Sequence, residues 1–157
     1  LQHAGIVLGI GGIAGHNHKG RPKTDPGYFN RAALPQNFSA VTAACLVMRR
    51  GVFEEIGGFD ETGLAVAFND VDLCLRIRKA GYQVIYTPYA ELYHHESASR
   101  GYENTPEKFA RFEREIETMK ERWGPVLKSD PYYNPNLTVL TEDFAFSYPP
   151  RIARVWE

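Results

Sequence analysis

The chain has 157 residues, with 43% apolar and 24% charged residues, an ordinary globular composition. A single domain of this size buries roughly two-thirds of its unfolded surface. Eighteen basic residues against nineteen acidic ones give a formal net charge of -1, so no basic field draws in nucleic acid or an anionic membrane. No apolar run is long enough to span a bilayer, and no secretory apolar segment opens the chain. Cys45 and Cys74 both lie in apolar surroundings, which reads as buried free thiols in a reducing compartment rather than a disulfide framework. The first residue is Leu1, which suggests a piece of a longer chain.

Four zones follow in chain order. In residues 1–36, His3 to Ile10 reads as a strand entering Gly9-Ile10-Gly11-Gly12-Ile13-Ala14-Gly15, followed by a long polar loop from His16 to Pro35. In residues 37–68, Val41 to Arg49 suits a buried strand or helix. Arg50 to Ile56 reads as a short helix stopped by Gly57-Gly58. In residues 69–101, a helix starts at Asn69 or Asp70 and runs to about Ala80, with Arg76, Arg78 and Lys79 complementing its dipole and Gly81 as the stop. Tyr82 to Thr87 is β-prone, and Ala90 to Tyr93 reads as a second short strand delivering His94-His95-Glu96-Ser97. The last zone opens with a helix capped by Thr105-Pro106-Glu107. Phe109, Phe112, Ile116, Met119 and Trp123 form its apolar stripe, and Gly124-Pro125 marks its end. The expected domain spans residues 1–125, with residues 126–157 as an extended tail packed on it.

Several motifs carry chemistry. Gly9-x-Gly11-x-x-Ala14 mimics a dinucleotide fingerprint, but no helix pattern and no acidic residue follow at the required spacing, so a tight turn is the better account. His16-Asn17-His18 reads as a solvent-exposed loop, with closure over a substrate as the alternative. In Asn69-Asp70-Val71-Asp72, two carboxylates sit at a helix start, where capping explains one acid and an Asp72–Arg76 pair four residues apart explains the other. The apolar Ala65-Val66-Ala67-Phe68 before them would hold the acids at a pocket edge, where a carboxylate can take a proton from a hydroxyl. His94 and His95 are adjacent on a strand, so one at most faces a given site, and neutral imidazole is a good ligand for a divalent cation.

Together, Glu54-Glu55-Ile56-Gly57-Gly58-Phe59-Asp60-Glu61, Phe68-Asn69-Asp70-Val71-Asp72-Leu73-Cys74-Leu75-Arg76, Ala80-Gly81-Tyr82, Pro88 and Tyr93-His94-His95-Glu96-Ser97 resemble glycosyltransferase family 2, in its rhamnosyltransferase-like and polysaccharide branches. The likeness covers residues 1–125 and only the second half of that family's catalytic domain. It implies an α/β fold of the GT-A type, a mixed sheet with flanking helices. Asn69 stands where the family's Glu-Asp motif has Glu. The resemblance makes Asp70 the catalytic base and His94 a ligand to Mg2+ or Mn2+. It places Asn69, Asp72, Ser97, Ser99 and Arg100 near the donor. The implied reaction is inverting transfer from a nucleotide-sugar donor to a hydroxyl acceptor, in the cytoplasm and at most peripheral to the inner face of the membrane. The isolated fragment is expected to be inactive. Two rival readings are a non-catalytic assembly module, self-associating through an exposed sheet edge, and a metal hydrolase using His16, His18, His94 and His95.

Overall fold

The computed structural model describes residues 1–95 and 105–152. Its regular elements are β1 (Ile6–Leu8), β2 (Ala14–His16), β3 (Gln36–Asn37), α1 (Arg50–Ile56), α2 (Asn69–Lys79), β4 (Ile85–Tyr86) and α3 (Pro106–Leu127). The chain is therefore a mixed α/β structure with small sheets. Among the described residues the expected mixed sheet gives way to two antiparallel pairs, β1 with β2 and β3 with β4. The reason lies at the strand ends. Gly9, in the left-handed region at φ 89°, turns the chain at once, and the Gly9 amide donates to Ile13 O at 2.8 Å. This closes a hairpin in which Ile6 faces His16 and Leu8 faces Ala14. The glycine motif is thus a turn, and the strand expected over residues 3–10 shortens to three residues.

All three residues of β1 are buried. Alternation along the strand sends Ile6 and Leu8 into one core and Val7 into another. The first core is closed by Val71, Leu73, Cys74, Leu75 and Ile77 of α2 and by Met119, Trp123 and Leu127 of α3. The second contains Ile10, Phe38, Tyr133, Leu137 and Phe144. The segment after α3 is anchored by buried Asp130, which accepts bonds from Leu8 N at 2.8 Å and from Ser39 Oγ at 2.7 Å.

The helices follow their local signals. α1 ends on left-handed Gly57, and α2 carries Asp70 and Asp72 in its first turn and Arg76, Arg78 and Lys79 in its last. Thr105 caps α3 by accepting from Lys108 N. Four expectations are corrected. First, α3 runs through Gly124-Pro125 to Leu127. The proline removes one bond to the solvent-facing turn before it, while burial of Leu127 favours continuing the helix. Second, its apolar stripe is buried only in its later part, Phe109 and Phe112 remaining 56% and 37% exposed. Third, the run after Val41 is neither strand nor long helix: Ala43–Cys45 form one 3-10 turn, Cys45 is exposed and Val47 is 92% exposed. Fourth, residues 90–93 form no strand and are exposed.

Candidate active site

The approach to α2 is fixed from α3. The carboxylate of buried Glu115 accepts the amides of Val66 and Ala67, each at 3.0 Å. Phe68, held left-handed at φ 59°, stacks on Phe112 with ring centroids 5.6 Å apart. These contacts set where the helix begins, and so where its two acids point.

The two acids have opposite fates. Asp72 is fully buried. Its Oδ1 accepts from Arg122 Nη1 at 2.7 Å and Trp123 Nε1 at 2.8 Å, and its Oδ2 accepts from Arg76 Nε at 2.8 Å. Arg76 also donates to Ile56 O and Gly58 O, and Arg122 to Asp60 Oδ2. Asp60 in turn accepts the amides of Thr62 and Gly63. The Gly63 amide first, and the Arg122 guanidinium next, hold its carboxyl well below the usual carboxylate range. Two carboxylates and two guanidiniums thus balance in one network that ties α1, the loop after it, α2 and α3 together. The Asp72–Arg76 pair is present as the spacing suggests. The expectation that Asp72 stands at a pocket edge is corrected, because three donors and full burial turn both its oxygens inward.

Asp70 is half-buried. Its Oδ1 accepts from Val71 N at 2.9 Å and its Oδ2 from Ala43 N at 3.0 Å. These amides fix the carboxylate between the start of α2 and the Ala43–Cys45 turn. A cavity of about 420 Å³ opens beside that turn, lined by Ala43, Leu46, Val47, Met48, Phe53 and Phe59 among others. A second, of about 320 Å³, shares Leu46, Val47 and Met48 and reaches Cys74. Asp70 is in the wall of neither; Ala43 links it to the first. Burial pushes the Cys74 thiol up to about 12, so it stays protonated. The contact with Ala43 was not legible in the sequence, because a backbone amide leaves no residue-type signal.

Asn69 is half-buried beside Asp70. His94 and His95 are exposed at the end of the irregular stretch after β4. Ser97, Ser99 and Arg100 lie outside the described residues. Among the described residues no three His, Cys, Asp or Glu side chains gather to hold a metal ion. His18 is 1% exposed, and its Nε2 accepts from Tyr28 N at 3.0 Å. The expected solvent-exposed loop at residues 16–18 is therefore interior at Asn17 and His18. The Phe144 ring packs against His18, tilted by 36° with centroids 4.8 Å apart, which the local sequence could not announce. His18 Nε2 is taken by the Tyr28 amide, and among the described residues no second and third ligand gather with it for a hydrolase centre. No helix among the described residues is long and apolar enough to cross a membrane.

No solved structure matches the chain. The uncharacterized protein y4gI of Sinorhizobium fredii is 58% identical over 149 residues, covering 95% of this chain and 16% of that protein. The O-antigen biosynthesis protein RfbC of Myxococcus xanthus is 41% identical over 146 residues, covering 91% of this chain and 11% of that protein. The N-acetylglucosaminyl-diphospho-decaprenol L-rhamnosyltransferase of Mycobacterium tuberculosis is 43% identical over 61 residues, covering 39% of this chain and 20% of that enzyme. The chain thus spans a fifth or less of the length of these relatives. The family described as glycosyltransferase-like family 2 matches residues 23–123, more than half of the chain. With the helix-start acids and the Gly57-Gly58-Phe59-Asp60 turn inside that match, the chain belongs to glycosyltransferase-like family 2.

Proposed function

We propose that the chain is the C-terminal part of a GT-A type catalytic domain, in a protein that moves a sugar from a nucleotide-sugar donor to a hydroxyl acceptor during surface polysaccharide synthesis. One observation supports this reading: Asp70 is a half-exposed carboxylate held by two amides, one of them from Ala43 in the wall of a cavity, while its neighbour Asp72 is fully buried in an ion network. The names of the M. xanthus and M. tuberculosis relatives support the substrate class.

In the proposed step Asp70 takes the proton of the acceptor hydroxyl. The acceptor oxygen forms a bond to the anomeric carbon from one face as the bond to the diphosphate oxygen breaks on the other. The nucleoside diphosphate leaves with that electron pair, and the anomeric configuration inverts. Fixing the carboxylate beforehand means it does not have to reorganise as charge develops. The resemblance also carries Mg2+ or Mn2+, with His94 as one ligand. The described residues do not assemble such a site, so no step here runs through a metal. Donor contacts from Asn69, Ser97, Ser99 and Arg100 are part of the same proposal, as is a cytoplasmic location with peripheral contact at the inner face of the membrane.

The test is Asp70→Asn in the full-length protein. Sugar transfer falls by about 10²–10⁴ in kcat, the usual contribution of a general base, while donor binding by calorimetry is kept. Retained transfer removes Asp70 from this role. A second reading, self-association, is favoured by the exposure of Val47, Ile85 and Leu92. Light scattering of this chain showing a monomer at every concentration overturns it.

A further inference from the structure

His3 meets, at Thr42, the segment whose next residue holds Asp70, and its hydrogen bonds fix where its proton sits. Its Nε2 is 3.2 Å from Gly5 N and 3.4 Å from Thr42 N. Both amides donate, so Nε2 presents a lone pair and the ring hydrogen of neutral His3 is on Nδ1. That Nδ1 is 3.2 Å from His16 Nδ1. His3 therefore donates and His16 accepts, leaving the hydrogen of His16 on Nε2. The His3 ring is held edge-on by His16, at 5.3 Å between centroids, and by Tyr86, at 6.4 Å. Burial first, and the neighbouring His16 next, push His3 down to about 3, so it is neutral and an acceptor at physiological pH. A metal bridging the two Nδ1 atoms is disfavoured by the same bonds, since it would move the His3 hydrogen to Nε2 and expel both amides.

The residue after Thr42 is Ala43, whose amide donates to Asp70 Oδ2 at 3.0 Å. We propose that His3, its tautomer set by His16, is a positioning residue that holds the Thr42 amide, one residue before Ala43, and so sets the backbone from which the Ala43 amide meets Asp70. The chain of contact runs from β2 through His16 and His3 to the turn, and from the turn to the helix start. In its functional part this rests on the reading of Asp70 as the base; in its structural part it does not.

The experiment has readouts that separate the two. In ¹⁵N NMR of this chain at pH 7, His3 is the tautomer protonated at Nδ1; the tautomer protonated at Nε2 overturns the proposal. In amide exchange, His3→Phe speeds Ala43 by about tenfold, as expected for loss of a hydrogen bond. His3→Gln, whose carbonyl reaches about as far as Nε2, restores most of the protection. His16→Phe leaves His3 free to change tautomer, so it too speeds Ala43, and it serves where His3→Phe does not fold. Unchanged Ala43 exchange in a folded variant overturns the proposal. In the full-length protein His3→Phe lowers kcat for sugar transfer by about tenfold at unchanged donor KM, and His3→Gln recovers it. Should Asp70→Asn leave transfer intact, the base reading fails while the tautomer and Ala43 protection still decide the role of His3.

Discussion

Two sides of α2 differ in what their residues do. On the inner side, Asp72 is surrounded by Arg76, Arg122 and Trp123, and every charge has its counterpart. On the outer side, Asp70 meets backbone amides beside a segment that leaves Val47 in solvent. One acid completes the interior, and the other stays half-exposed at the start of the helix. Two residues along a helix rotate a side chain by more than half a turn, and that rotation puts one acid inside and the other at the surface.

The largest effect that would break this comparison is at Asp72. Asp72→Ala leaves two guanidiniums without their shared anion, and the expected loss of unfolding free energy is about 3–5 kcal/mol by urea denaturation. Asp70→Asn, measured the same way, costs no more than about 1 kcal/mol, since only hydrogen bonds to a half-exposed group change. Similar losses for the two would erase the distinction between the two sides.

Next in size is Gly5→Ala. Gly5 is at φ +95°, and an added Cβ would stand 2.5 Å from the Phe38 ring. Strain and overpacking together predict a loss of about 2–4 kcal/mol. A variant as stable as the parent would show that the second core is looser than its packing implies.

The pH dependence comes third. His18 is held down to about 4, by burial first and by Arg21 and Arg31 next, and His3 to about 3. Both folded values lie below the ordinary 6.5, so their contribution is full above pH 6.5. It is lost as the pH falls toward 4 and then 3, by up to about 1.4 kcal/mol per pH unit for each group. Urea midpoints between pH 7 and pH 4.5 check this, and a flat profile contradicts it. The smallest effect is Val47→Ser, within about 0.5 kcal/mol, because that side chain is already in water.

The helices were legible because their signals are local. Gly57 stops α1, and the charge order of α2 follows its dipole. The Asp72–Arg76 pair was legible from its spacing, and the family from motifs inside the matched residues. What stayed hidden was set by distant chain. His18 is buried under Phe144, 126 positions further along the sequence, and nothing around His18 announces it. Strands of two or three residues are too short to show a period. Arg122 belongs to a polar network although it sits next to the last residue of an apolar stripe. Asp70 was legible as a residue type, but its contact with the Ala43 amide was not.

The burial of β1 on both faces has a mechanical consequence. A strand that is a party wall to two cores, with the Leu8 amide also latched by Asp130, lets neither core melt while the other stands. Residues 128–152 are then a keystone rather than an appendage. Clipping them away exposes Val7 and orphans the Leu8 amide, so the damage spreads through the hairpin to the helices beyond it.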